Sequence, residues 1–178
     1  MATITDARLL PEVAAFLESG PLGGIIAGGT ARSSSGETFE TRDPGSGQAL
    51  AEVDSLQGDD VDRAVRAAET AFVRNDWAKL SPNDRGAMLH RLADEVQRRK
   101  KVIAQIEALD CGKVYWQAEA DVQNFVDTMR YFVTMSLQVQ RRSAIAIAGH
   151  EAWTVRQPWG PCAFIFPWNF PFLLAGWG

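Results

Sequence analysis

Residues 158–178 read PWGPCAFIFPWNFPFLLAGWG, and this stretch decides the fold. From Gln157 to Gly178 no side chain is charged, and three of the chain's six tryptophans and four of its nine phenylalanines lie there. A membrane-spanning helix needs about 20 apolar residues, so length alone would allow one. Composition forbids it. Pro158, Pro161, Pro167 and Pro171 each remove a helical hydrogen bond, and Asn169 adds an amide, neither of which hydrocarbon can satisfy. Cys162-Ala163-Phe164-Ile165-Phe166 is instead a continuous apolar run stopped by Pro167. It predicts a strand buried on both faces, as in a parallel sheet covered by helices.

Immediately upstream the apolar period is two. Residues 144–147 and 152–155 flank Gly149-His150-Glu151, which predicts a β-hairpin. Before Gln140 the period is 3.6, and four helices are expected. Asp59, Asp60 and Asp62 load the first turn of one whose stripe is Val61, Ala64, Val65, Ala68 and Phe72. Ser81-Pro82-Asn83-Asp84 starts a second: the serine caps, proline suits the first turn, and an acid stands three residues after the cap. A third runs from about Lys101 to Leu109 with Gly112 as its C-cap. The longest starts near Val114 and carries Ala118, Val122, Phe125, Met129 and Phe132 on one face. All four stripes read as core-facing. Ahead of them, Ile25-Ile26, residues 37–41 and residues 49–53, separated by Gly-, Ser- and Pro-rich turns, predict a small antiparallel sheet of three strands.

Composition bounds the rest. A chain of 178 residues, 46% hydrophobic and 22% charged, has enough apolar surface for a core. A net charge of -4 without a long basic cluster argues against nucleic-acid partners. The amino terminus lacks a basic segment and a long apolar run, so neither export nor organelle import is expected and the location read is cytoplasmic. Two cysteines are too few for a disulfide framework and lack metal-ligand spacing, so no metal site is expected. Spacing alone assembles no catalytic set. His90 and His150 read as solvated residues, and Glu107, Asp110 and Lys113 as the ordinary polar end of a helix. Cys162 in an apolar strand reads as an inert core thiol, and Cys111 as the more exposed one.

The uncharged stretch also carries a resemblance. Pro158-Trp159-Gly160-Pro161, the following strand and Pro167-Trp168-Asn169-Phe170-Pro171 resemble the aldehyde dehydrogenase superfamily, in which such a turn leads into the first strand of the NAD(P)-binding domain and ends in PWNFP. The order of other motifs agrees: Asp43-Pro44-Gly45-Ser46-Gly47, the Asp84-Arg85 to Leu92 helix, and Leu109-Asp110-Cys111-Gly112-Lys113, where Val114 stands in place of the family's usual proline. The similarity covers about residues 22–178.

What the resemblance implies is an α/β fold: a helical amino-terminal segment with small antiparallel β elements, a β-hairpin arm, and the first strand of an incomplete Rossmann-like NAD(P)-binding domain. The expected divisions are a leader at 1–20, the β and helical part at 21–138, the oligomerisation arm at 139–157, and the strand with its PWNFP loop at 158–178. Asn169 matches the family's oxyanion donor, and Ile165, Phe166, Pro167 and Trp168 match residues lining the groove for NAD or NADP. Neither Cys111 nor Cys162 matches the family's nucleophile, which lies downstream together with the glutamate that activates water. The chain would therefore be the amino-terminal portion of an enzyme that oxidises aldehydes to acids, inactive alone. The alternative is a non-catalytic protein that associates with full-length subunits, as a homo- or hetero-oligomer through the arm. The apolar side chains from Cys162 to Trp177 are expected to lack partners, leaving the isolated chain prone to association.

Overall fold

The computed structural model describes residues 9–178; the first eight residues of the expected leader lie outside the described residues. Its centre is helical. Helix α4 (Pro82–Arg98) starts as its sequence requires: Asp84 N donates to Ser81 Oγ at 3.1 Å, and Pro82 occupies the first turn. Helix α5 (Lys100–Cys111) stops at Gly112, whose φ of 68° is left-handed, as a glycine C-cap demands. Helix α6 (Tyr115–Ser136) is the longest and packs on both. Ala93, Val96, Ala104, Ala118, Val122, Phe125 and Val126 from the three helices form one buried cluster. This stripe-to-stripe burial holds the body together.

Around that body, helix α1 (Pro11–Leu17) inserts Val13, and Leu10 N donates to Gln105 Oε1 at 2.8 Å. The amino-terminal strands are β1 (Gly24–Ile26), β2 (Gly29–Ala31), β3 (Thr38–Arg42) and β4 (Ala49–Asp54). They form two separate antiparallel pairs, β1 with β2 and β3 with β4, rather than the single three-stranded sheet expected. The reason is local: each pair is closed by its own turn. Leu22 bridges them through the backbone, donating to Glu52 O and accepting from Asp54 N, and Arg32 after β2 pairs with Asp54 of β4 at 2.5 Å. The hairpin forms as expected from β5 (Arg142–Ile147) and β6 (His150–Val155), with Ile147 opposite His150 across a two-residue turn that uses Gly149 at φ 77°.

Three further expectations need correction, and Met88 and Leu92 of α4 and Phe132 of α6 are likewise exposed rather than core-facing. Helix α2 (Gly58–Arg74) forms, but Val61, Val65 and Phe72 are exposed, because the helix is fixed by a polar pin instead of its apolar stripe. That pin is Asp60, buried at the third helical position, which accepts from Gln57 N, Ser34 N, Ser34 Oγ and Arg63 Nη2. Short helix α3 (Asp76–Lys79) follows after Asn75 turns left-handed at φ 57°.

Second, residues 162–166 form no strand; the segment is exposed, with Trp159 98% and Ile165 99% accessible. A parallel strand exists only through its neighbours, and among the described residues none lies alongside. Cys162 is accordingly exposed, not a core thiol, whereas Cys111 is the more covered cysteine. Third, the rest of the tail does find a partner. Helix α7 (Pro171–Ala175) lays Leu173 into the helical core and sets Phe172 against Phe125 with ring centroids 4.7 Å apart. Gly176 is required there, because a Cβ would overlap the Phe125 ring. Among the described residues no helix is long and apolar enough to cross a membrane.

Candidate functional site

Asn169, the residue expected to do chemistry, lies where the uncharged tail crosses the end of α5. Trp168 and Asn169 form a turn, Phe170 precedes α7, and Asn169 is exposed at the tip. The residues on both sides of Asn169 are tied to the same place. On one side the Trp168 carbonyl accepts a hydrogen bond from Cys111 Sγ at 3.1 Å. On the other, the Phe170 ring lies under the Lys113 ammonium, 4.4 Å from Nζ to centroid. A cation over an aromatic face is attracted by the ring quadrupole, more so when water is excluded.

Lys113 is itself held. Its Nζ donates to Glu107 Oε1 at 2.6 Å and to Asp121 Oδ2 at 2.9 Å, with side-chain exposures of 9% for Lys113, 3% for Glu107 and 11% for Asp121. Burial alone would favour the neutral amine; hydrogen bonds to both carboxylates outweigh it and raise Lys113 above its ordinary range. The lysine is therefore charged at neutral pH. Burial pushes the Cys111 thiol up, against the pull of the Lys113 charge, and the thiol donates to the Trp168 carbonyl.

This cluster is what residue types at the end of a helix did not reveal. A signal was present. Glu107 stands three residues after Ala104 and four after Ile103, and Asp121 stands three after Ala118 and four before Phe125. Acids on two apolar stripes must find a buried cation, and Lys113 is next to both. A second contact ties the site to the amino-terminal turn. Pro44 rests on Gly112, where a Cβ would come within 2.7 Å of Pro44 Cγ. Thr41 Oγ1 also donates to Asp110 Oδ1 at 2.8 Å.

Of the residues expected to line a nucleotide groove, Ile165 and Trp168 (82% exposed) face open solvent, and Phe166 stacks on Phe164 with parallel rings 6.0 Å apart. They form one wall. Taken alone they do not enclose a dinucleotide, which needs burial on several sides. An apolar cavity of about 410 Å³ lies elsewhere, between α1, β3, β4 and α5, lined by residues including Phe16, Leu22, Phe39 and Ile106.

Comparison with known proteins bears on this arrangement directly. The profile of the "Aldehyde dehydrogenase family" matches residues 31–178. Among curated relatives, "Aldehyde dehydrogenase family 2 member B4, mitochondrial" of Arabidopsis thaliana is 35% identical over 154 residues, covering 86% of this chain and 29% of that protein. "Retinaldehyde dehydrogenase 3" of Mus musculus is 37% identical over 147 residues, covering 82% and 29%. Among solved structures, the NAD+ complex of aldehyde dehydrogenase from Bacillus cereus superposes with a TM-score of 0.88 at 34% identity, covering 96% of this chain and 35% of that one. The chain thus spans about a third, or less, of the length of the relatives it matches.

Proposed function

Because the chain belongs to the aldehyde dehydrogenase family, we propose that it acts as the amino-terminal part of an NAD(P)-dependent enzyme oxidising aldehydes to carboxylic acids. The observation that carries this reading is the Trp168-Asn169-Phe170 turn: its flanks are tied down while the Asn169 amide stays open to solvent. An amide N–H aimed at an aldehyde oxygen donates more strongly as that oxygen gains charge, and so lowers the barrier to addition at the carbonyl carbon. Ile165, Phe166, Pro167 and Trp168 would supply one wall of the cofactor groove, completed by residues outside this chain. NAD(P) fits the family, and the similar Bacillus cereus enzyme forms a complex with NAD+.

The reading is tested in a chimera in which residues 31–178 replace the matching segment of the Bacillus cereus enzyme. The chimera should oxidise aldehydes with NAD+, and Asn169→Ala should lower kcat by about 10²–10³. A chimera indifferent to Asn169→Ala would sink the assignment. The 178-residue chain alone should show no NAD+-dependent aldehyde oxidation, since neither Cys111 nor Cys162 is placed as a nucleophile.

A second reading is favoured by the exposure of Trp159, Ile165, Trp153 and Ile147: a non-catalytic protein that binds full-length subunits. In either reading the β5–β6 hairpin serves as the oligomerisation arm, joining like or related subunits. The cytoplasmic placement rests on sequence and two free thiols; relatives carry both cytosolic and mitochondrial names.

A further inference from the structure

The Asn169 reading leaves open what fixes the direction of that amide. An exposed turn has many conformations, and holding it in one of them opposes backbone entropy. Phe170 packs on the helical core and accepts from Leu174 N, and two further contacts oppose that freedom, both originating within three residues of each other at the α5–α6 junction. Cys111 Sγ donates to the carbonyl preceding Asn169, and the Lys113 ammonium sits on the ring that follows it. Lys113 cannot drift, because Glu107 from α5 and Asp121 from α6 both accept from its Nζ. Gly112 between the two contacts closes α5 in a left-handed conformation, which brings Lys113 back over the buried acids.

We propose that Lys113 is a positioning residue: locked by Glu107 and Asp121, it clamps Phe170 and, with the Cys111–Trp168 hydrogen bond, presets the turn that carries Asn169. The role rests on the reading of Asn169 as the donor to substrate, but the clamp itself is testable without it. Lys113 touches no reacting atom. It works through Phe170 and the backbone, so its removal should loosen residues 168–170 and leave the helices formed.

Cys111 reports on the turn, because its partly buried thiol is hydrogen-bonded to the Trp168 carbonyl. The experiment is alkylation of the whole 178-residue chain by iodoacetamide under native conditions, with the exposed Cys162 as internal reference and helix content followed by circular dichroism. Two variants are compared with the parent. Lys113→Met removes the cation, and Phe170→Leu removes the ring while leaving the ion cluster intact. The Cys111-to-Cys162 rate ratio should rise about tenfold in both, the size expected on losing a desolvated cation–π contact. The sign separates the clamp from simple electrostatics. The Lys113 charge lowers the thiol pKa, so deleting that charge without opening the turn would slow alkylation. A ratio unchanged or lowered in either variant, or raised only alongside loss of helix content, overturns the proposal. Failure here with an active, Asn169-dependent chimera would discard the clamp and keep the donor; success with an Asn169-independent chimera would do the reverse.

Discussion

Helix α6 and residues 159–168 are the two most instructive regions to set side by side. The second is the more apolar, uncharged throughout, yet Trp159, Ile165 and Trp168 are exposed. The first carries Asp121, Asp127 and Arg130, yet its Ala118, Val122, Phe125 and Val126 are among the most buried residues of the chain. Burial is a property of pairs of surfaces. Helix α6 has α4, α5 and α7 against it, while residues 159–168 have no such partner among the described residues. Hydrophobic free energy follows area removed from water, so identical side chains are worth several kcal/mol in one region and little in the other.

The largest expected effect follows from that contrast. Phe125→Ala should destabilise the fold by about 3–5 kcal/mol, because the ring supports Phe172 and Gly176 as well as the helical core. Trp168→Ala, the loss of a larger ring, should change stability by less than about 0.5 kcal/mol. Urea denaturation of both variants checks this; comparable losses would mean that the tail is packed after all. Next in size, Gly112→Ala should cost roughly 1–3 kcal/mol, since it forces a side chain into the left-handed region and against Pro44. The same substitution at exposed Gly58, which has open space and no positive φ, should cost little or even stabilise.

Association sharpens the comparison differently. Removing residues 158–178 would uncover Phe125 while deleting the tail's own side chains, so truncation confounds the two regions. Trp159→Ser combined with Ile165→Ser avoids this. The double variant should keep the parent's denaturation midpoint and sediment as a smaller, less concentration-dependent species. Equal sedimentation of the two chains would assign association to the hairpin instead.

The smallest effect concerns pH. Asp60 is held near a pKa of about 2, below the ordinary 3.8, chiefly by the Gln57 N–H and further by Ser34 and Arg63, against the opposing effect of burial. A carboxylate whose folded pKa is depressed stabilises the fold above its unfolded pKa, and that contribution fades as pH falls through its folded value. The melting-temperature gap between the parent chain and Asp60→Asn should therefore be constant from neutral pH to about 4 and narrow from about 4 to 2. A gap independent of pH would mean that Asp60 acts by shape alone.

These contrasts also explain what was readable in the sequence. Caps and turns were legible because each is decided within four residues: Ser81 before Pro82, Gly112 after α5, Gly149 between β5 and β6. The PWNFP motif was legible as a motif. Its surroundings were not, since the contacts from Cys111 and Lys113 to Trp168 and Phe170 span 57 residues of chain in each case. The exposed stripe of α2 was misjudged for a related reason. Periodicity reports which face is apolar, and says nothing about whether another surface meets it.

The described strands all lie in two-stranded sheets, six strands in three ribbons. Each ribbon therefore presents outer edges whose N–H and C=O groups retain unused pairing capacity, apart from the side of β4 that Leu22 occupies. Backbone edges recognise other backbones irrespective of side-chain identity, which makes them adhesive in crowded solution. The side chains temper this: Glu40 and Arg42 on β3, and Arg142, His150 and Glu151 on the hairpin, place polar groups along the edges. Such gatekeepers slow indiscriminate pairing and leave ordered strand addition open to a partner with matching charges. Strand addition at these ribbons would be a matter of register as much as of grease, with the ribbon's charges setting which alignments are allowed.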